Sequence, residues 1–300
     1  MLHPQAEQAL ALWAQQVSVA GMDADQVAQK RRQDREAAAL EPKEPVARTV
    51  DVDADGVPAR LYLPDSEDAG AGAGAGCIVF LHGGGFVFGD VDTHDAQSRR
   101  LANRTGFAVL AVDYRRPPEH PFPAAPDDVD TALGWLTRRA ADHGVDGRRL
   151  VALGDSAGGN LAVVAALRNP GRFAAVVAVY PFIDPRLRYP SYANPAGGLT
   201  ASDAAWFWAQ YTPDQTADPD AAPLDAATLG ALPPTLVQAA EHDVLVDEDV
   251  ELARRIEQAG ATVELTTYPG MIHGFWRHPE QFDAAEEALA EIAAFLRRTV

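Results

Sequence analysis

Residues 150–167 read LVALGDSAGGNLAVVAAL. An apolar run at 150–153 leads into Gly154-Asp155-Ser156-Ala157-Gly158, and small and apolar residues with helical spacing follow. A G-x-S-x-G carries chemistry where a strand gives way to a helix, and these flanks supply that context. So sharp a turn strains the serine backbone and points its hydroxyl outward, while the glycines let strand and helix approach closely. The Ala157 N–H, at the helix start, aims where negative charge on an oxygen would develop. Ser156 is therefore a candidate nucleophile and Ala157 a candidate oxyanion donor. Asp155 reads as a support of the turn rather than a second acid, with a position near bound substrate as its further role.

The same strand–loop–helix rhythm extends outward. Apolar runs at 77–81, 107–112, 150–153, 174–180, 235–240 and 262–268 predict strands. Patterns near 94–105, 127–142, 157–168, 246–259 and 280–298 predict helices. Near-continuous apolar strands alternating with helices imply a mostly parallel sheet with helices on both faces. Upstream, VARTVDV and VPARLYL joined by Asp53-Ala54-Asp55-Gly56 read as an antiparallel hairpin. Residues 5–40 read as two polar helices, and EDAGAGAGAG at 67–76 as a flexible connection without chemistry. Residues 185–232, rich in Pro, Asp and Ala around WFWAQY at 206–211, are long for a link between strands. They read as an inserted cap over the C-terminal edge of the sheet. The expected division is cap helices over 1–44, core over 45–184, inserted cap over 185–232 and core again over 233–300.

Composition narrows the function. The 300 residues, at about 150 per domain, fit two domains or one large α/β domain with insertions. Lys and Arg number 25 against 43 Asp and Glu, a net charge of −18. Phosphate contacts need basic patches, so nucleic-acid binding is disfavoured, as is adsorption to anionic membranes. The N-terminal stretch lacks a basic region before its apolar residues, and no window approaches a membrane span, so a cytoplasmic protein is expected. The single cysteine, Cys77, sits in CIVFL and reads as a core residue; it excludes an intramolecular disulfide and a cysteine-based zinc cluster. Neither metal nor organic cofactor is expected.

A second motif, FLHGGGFVFG at 80–89, follows the first strand of the parallel series. Its three glycines free the backbone to aim N–H groups at an oxyanion, which makes Gly84 and Gly85 further candidate donors. A plain flexible turn would explain the glycines but not His82 before them or Phe86 after them. Where a serine sits on such a turn, an acid and then a histidine follow it in the chain. Only His273 and His278 follow all the candidate acids. His273 lies directly after the last strand, and His278, before Pro279 and an expected helix start, reads as solvent-exposed. The other histidines lie in the wrong order or on apparent surfaces. Glu241, Asp243, Asp247, Glu248 and Asp249 are the candidate acids. Asp243 falls on the loop just past its strand, whereas Asp247 fits a capping role at the next helix start, so Asp243 is preferred. Asp127 and Asp128 also read as caps. Arg115, Glu119 and His120 read as ion-pair residues shaping a proline-rich loop.

Together these residues resemble the hormone-sensitive-lipase-like (bacterial family IV) esterases of the α/β-hydrolase fold. The resemblance runs from about residue 57 to the C-terminus. It includes HGGGF at 82–86, DYR at 113–115, PEHPFPAA at 118–125, GDSAGGNLA at 154–162 and YP at 180–181. It continues through WFW at 206–208, LPP at 232–234, EHDVLVDE at 241–248 and YPGMIHGF at 268–275. Departures are Arg116-Pro117, where the family usually has Leu-Ala, and DVLVDE, where it often has D-P-L-R-D-E. Neither touches a proton-transferring group. The resemblance implies a serine carboxylesterase with the triad Ser156, Asp243 and His273, and oxyanion donors on Gly84, Gly85 and Ala157. It implies short- to medium-chain acyl esters as substrates, because a cap would bound the pocket. It suggests Phe86, Asp155, Trp206 and Trp208 as pocket residues. An amide, carbamate or lactone hydrolase on the same triad is the alternative. A non-catalytic small-molecule-binding protein is a further one, disfavoured because all three triad residues are in place. The expected partner is a small acyl ester, and a homodimer stays open. A phosphate-binding fold fails on spacing, since neither glycine motif carries G-K-[ST] or G-x-G-x-x-G.

Overall fold

Leu150 through Asp155, which open the decisive motif, lie in the middle of an eight-stranded sheet. The computed structural model describes residues 1–14, 18–65, 75–194, 198–214 and 218–300. Its strands are β1 (Arg48–Ala54), β2 (Val57–Leu63), β3 (Ala75–Leu81), β4 (Ala108–Val112), β5 (Val145–Asp155), β6 (Ala175–Val179), β7 (Thr235–Ala240) and β8 (Val263–Tyr268). They are ordered β1-β2-β4-β3-β5-β6-β7-β8. β1 and β2 form the expected hairpin, and β2 also pairs antiparallel with β4. All other pairings are parallel. Asp55 at φ 57° and Gly56 at φ 96° make the two-residue hairpin turn, where positive φ matches the strand twist.

The helices are α1 (Pro4–Trp13), α2 (Ala24–Ala38), α3 (Asp95–Thr105), α4 (Ala124–Arg139), α5 (Ala157–Arg168), α6 (Ala201–Tyr211), α7 (Val246–Gln258) and α8 (Asp283–Thr299). Alternation along each strand builds two cores. Cys77, Val79 and Leu81 face the layer of α4, α5 and α7, while Ile78 and Phe80 face that of α3 and α8. Burying each such side chain contributes about 1.5–3 kcal/mol. Burial also pushes the Cys77 thiol up to about 12, in keeping with a core residue.

Several local expectations are corrected. β5 begins five residues before the apolar run at 150–153, because Val145 pairs with Ala75 beyond a register shift. Ala75 and Gly76 thereby belong to β3; the remainder of the glycine-alanine stretch, 67–74, lies outside the described residues. α4 starts at Ala124 with Pro123 as its cap residue, so neither Asp127 nor Asp128 caps it. Asp128 instead binds Arg115, with Nη2 2.7 Å from Oδ1. Glu119 pairs with Arg31 of α2. α8 begins at Asp283 rather than just after His278. His94, which precedes Ser156 in the chain, is buried at the start of α3. No helix among the described residues is long and apolar enough to cross a membrane.

Candidate active site

The turn between β5 and α5 puts Ser156 at φ 56°, ψ −120°, a region that residues with a Cβ rarely adopt. Sequence permits it through Gly154 and Gly158. A Cβ on Gly154 would overlap the Gly158 carbonyl, and one on Gly158 would overlap the Leu81 carbonyl. The turn is tied down by Ser156 N–H donating to Val179 O at 2.8 Å and by Phe182 N–H donating to Ser156 O at 3.1 Å.

Two loops beyond neighbouring strands converge on this serine. The loop after β7 carries Asp243, and the loop after β8 carries His273. Three bonds stitch them together: Glu241 N–H to Tyr268 O at 3.2 Å, His242 N–H to Met271 O at 2.8 Å, and Gly270 N–H to Glu241 Oε2 at 2.6 Å. Asp243 is fully buried and accepts a bond from Leu245 N–H at 3.0 Å. Its Oδ2 lies 2.6 Å from His273 Nδ1, and His273 Nε2 lies 3.0 Å from Ser156 Oγ. Tyr180 packs its ring 4.7 Å from the imidazole. Of the other candidate acids, Asp247 accepts from Ser191 N–H at 2.9 Å, and Glu248 accepts from Ile183 N–H at 2.9 Å. Neither contacts His273.

The glycine loop faces the serine. Gly84 at φ 113° and Gly85 at φ 60° turn the backbone, and a Cβ on Gly85 would overlap the Phe207 ring. Among the described residues, nothing accepts a hydrogen bond from the N–H groups of Gly84, Gly85 or Ala157. His82 anchors the loop: Tyr114 Oη donates to its carbonyl at 2.7 Å and stacks on its ring at 4.2 Å. Burial depresses the His82 imidazole to about 3, so it stays neutral and structural. Asp155 accepts from Gly83 N–H at 3.0 Å, joining the elbow to this loop, and burial pushes its carboxyl above the usual range.

A cavity of about 440 Å³ opens over Ser156 and His273. Asp155, Gly84 and Gly85 line it, as do Phe182, Leu199 and Phe207. Phe86, Trp206 and Trp208 do not. Phe86 is fully buried against Tyr211, with ring centroids 3.8 Å apart; Trp208 packs on Phe182, and Trp206 stacks on Phe88. Three consecutive aromatics span most of a helical turn, so sequence alone left open which of them points inward; Phe207 does. Sequence reading also missed Val19 and Lys30 from the N-terminal segment, and Arg277 and His278, which line the same cavity. Lys30, on a charged helix that reads as solvated, gave no signal for such a place. Among the described residues, no group of three or more His, Cys, Asp or Glu is arranged to hold a metal ion.

The chain is similar in sequence and fold to known hydrolases. A family model described as alpha/beta hydrolase fold matches residues 78–277. The chain is 38% identical over 251 residues to an ethyl acetate hydrolase of Pseudomonas putida, covering 81% of this chain and 78% of that one. It is 37% identical over 234 residues to the carboxylesterase NlhH of Mycobacterium tuberculosis, covering 74% and 73%. An esterase of Pyrobaculum calidifontis superposes with a TM-score of 0.88 at 36% identity, over 99% of each chain.

Proposed function

The chain belongs to the hormone-sensitive-lipase-like branch of the α/β-hydrolase fold and is a carboxylic ester hydrolase; we propose that it cleaves short- to medium-chain acyl esters through a Ser156–His273–Asp243 triad and an acyl-enzyme. The observation that carries the mechanism is the unbroken chain from Asp243 through His273 to Ser156, at 2.6 and 3.0 Å, beneath the cavity. His273 Nε2 takes the Ser156 proton as Oγ bonds to the ester carbonyl carbon. The carbonyl oxygen becomes an oxyanion, held by Gly84, Gly85 and Ala157 N–H groups that have no other acceptor among the described residues. Each such donor is worth about 2.7–4 kcal/mol in the transition state. As the tetrahedral intermediate collapses, the bond to the leaving oxygen breaks, and protonated His273 gives that oxygen its proton. Water then attacks the acyl-enzyme by the same route and frees Ser156. Asp243 fixes the imidazole tautomer and stabilises its charged form.

We assign residues 1–44 and 185–232 to a cap, and 45–184 and 233–300 to the catalytic core. Val19 and Lys30 from the first cap segment and Leu199 and Phe207 from the second line the cavity together. Asp203 joins the two, accepting from Ser18 Oγ at 2.6 Å and from Val19 N–H at 3.1 Å. A roof of this kind bounds the acyl chain that fits.

The test is hydrolysis of p-nitrophenyl acetate, butyrate, octanoate and palmitate by wild type and Ser156→Ala. The short esters should turn over, palmitate poorly, and the variant should lose about 10⁶-fold in kcat. Wild-type activity in the variant would remove Ser156 from the mechanism. Rapid turnover of palmitate alone would sink the short-chain assignment.

A further inference from the structure

Resting on the esterase reading, we propose that Arg277 and Arg100 form a carboxylate-binding subsite beside the catalytic cavity, so that the preferred esters carry a carboxylate remote from the scissile bond. Arg277 follows His273 on the same loop and lines the catalytic cavity. Its Nη2 donates to Thr93 O at 3.2 Å, the one hydrogen bond its side chain donates among the described residues, none of whose carboxylates lies within ion-pair distance. Its charge reaches Asp155 beneath the serine.

Arg277 also lines an adjoining cavity of about 500 Å³, which shares Glu41, Arg277 and His278 with the first. Arg100 enters that second cavity. It donates to Gln97 Oε1 and to Arg277 O, and it too lacks an ion pair among the described residues. Burial lowers its affinity for a proton and outweighs the opposing pull of Glu286, Glu280, Glu44 and Glu41, none of which reaches ion-pair distance.

The surrounding acids have other partners. Glu44 and Glu286 bind Arg104, Glu280 binds His278, and Asp34 binds Lys30. Glu41 and the buried Asp155, neither in an ion pair among the described residues, are left to compete. In a chain with 43 acidic and 25 basic residues, two neighbouring arginines with no ion pair among the described residues are a costly arrangement unless an anion completes it. A guanidinium fork matches a carboxylate in its plane, which favours a carboxylate over a bulky hydrophobic terminus.

Two substrate pairs test this, one for each end of an ester. The first is the mono-4-nitrophenyl ester of adipic acid against 4-nitrophenyl hexanoate, and the second is 4-acetoxybenzoate against 4-methylphenyl acetate. In at least one pair, Arg277→Met should lower the charged-to-neutral ratio of kcat/KM by about 10- to 100-fold. Arg277→Lys, which keeps the charge without the fork, should fall between, and it covers the case in which the Met variant does not fold. An equal effect of both variants on charged and neutral members of both pairs overturns the proposal. Calorimetric titration of adipate into wild type and Arg277→Met separates this subsite from the esterase reading. Adipate binding that the variant abolishes, with no ester turned over, would keep the subsite and sink the reaction. Turnover with no adipate binding and no change in ratio would do the reverse.

Discussion

Ser156 holds its unusual backbone because neighbouring residues leave it no alternative. Its N–H is fixed on Val179 O, its carbonyl accepts from Phe182 and Asn160 N–H, and the two glycines around it touch backbone rather than side chains. Contacts of that kind do not yield, since the atoms in the way belong to β3 and to the helix itself. Gly158→Ala makes the point measurable. The new Cβ would press on the carbonyls of Leu81 and His82, both at the edge of the oxyanion loop. Forced overpacking of this sort costs about 3 kcal/mol when the obstacle cannot rotate away. The urea midpoint should drop accordingly, and kcat should fall in whatever fraction stays folded. A variant with wild-type midpoint and rate would show that the elbow is looser than its contacts describe.

At the scale of elements, α2 and α7 do work that their sequences conceal. Arg31 of α2 reaches across to the oxyanion loop, with Nε donating to Val87 O at 2.9 Å and Nη2 to Pro117 O at 2.6 Å. Arg35 pairs with Asp90 at 2.5 Å in the same region. A helix that reads as solvated is thus bolted to the loop that presents Gly84 and Gly85. α7 buries Glu248 and Asp249 in its first turn, where acids usually stand exposed as dipole partners. Glu248 is satisfied by Ile183 N–H and Tyr192 Oη, but neither Asp249 oxygen has a partner among the described residues. Burial, reinforced by Asp243 and Glu248, holds the Asp249 carboxyl well above its usual range. The folded state therefore keeps this proton to higher pH than the unfolded state does. Stability is greatest below the unfolded value of about 3.9 and declines as pH rises toward the folded value, by about 1.4 kcal/mol per unit in between. Asn cannot titrate, so Asp249→Asn should flatten that decline. Relative to wild type, the variant should be more stable at pH 8 than at pH 5, compared through urea midpoints. An unchanged difference between the two pH values would mean that Asp249 is ionised and solvated after all.

For the whole molecule, sequence order carried more information than sequence composition. Ser156, Asp243 and His273 stand on three short loops at the same end of the parallel strands β5, β7 and β8, so chain order and strand ends sufficed to bring them within hydrogen-bonding distance. The sheet was legible for a related reason: near-continuous apolar strands have few other ways to be buried. The cavity walls were not legible, because they depend on helix phase and on contacts between distant segments. Phe207 rather than Trp206 or Trp208 faces the serine, and Lys30 arrives from a helix more than a hundred residues away in sequence. Charge shows the same division between local and global. Individual arginines are well paired, as Arg115 is with Asp128 and Arg168 is with Asp127 and Asp130. Yet 43 acids against 25 bases leave a net −18 that no local pairing removes. Exposed pairs contribute only about 0–1 kcal/mol each and act over a few ångströms, whereas the excess charge repels across the whole surface. Salt separates the two, because the screening length falls from about 30 Å at 0.01 M to about 8 Å at 0.15 M. Short, half-buried pairs survive that change, and long-range repulsion does not. The melting temperature should therefore rise by roughly 2 °C or more between those salt concentrations, since relief of about 1 kcal/mol moves a large domain by that much. A fall would mean that the surface ion pairs outweigh the excess of acid, and that this chain is held together by its charges rather than in spite of them.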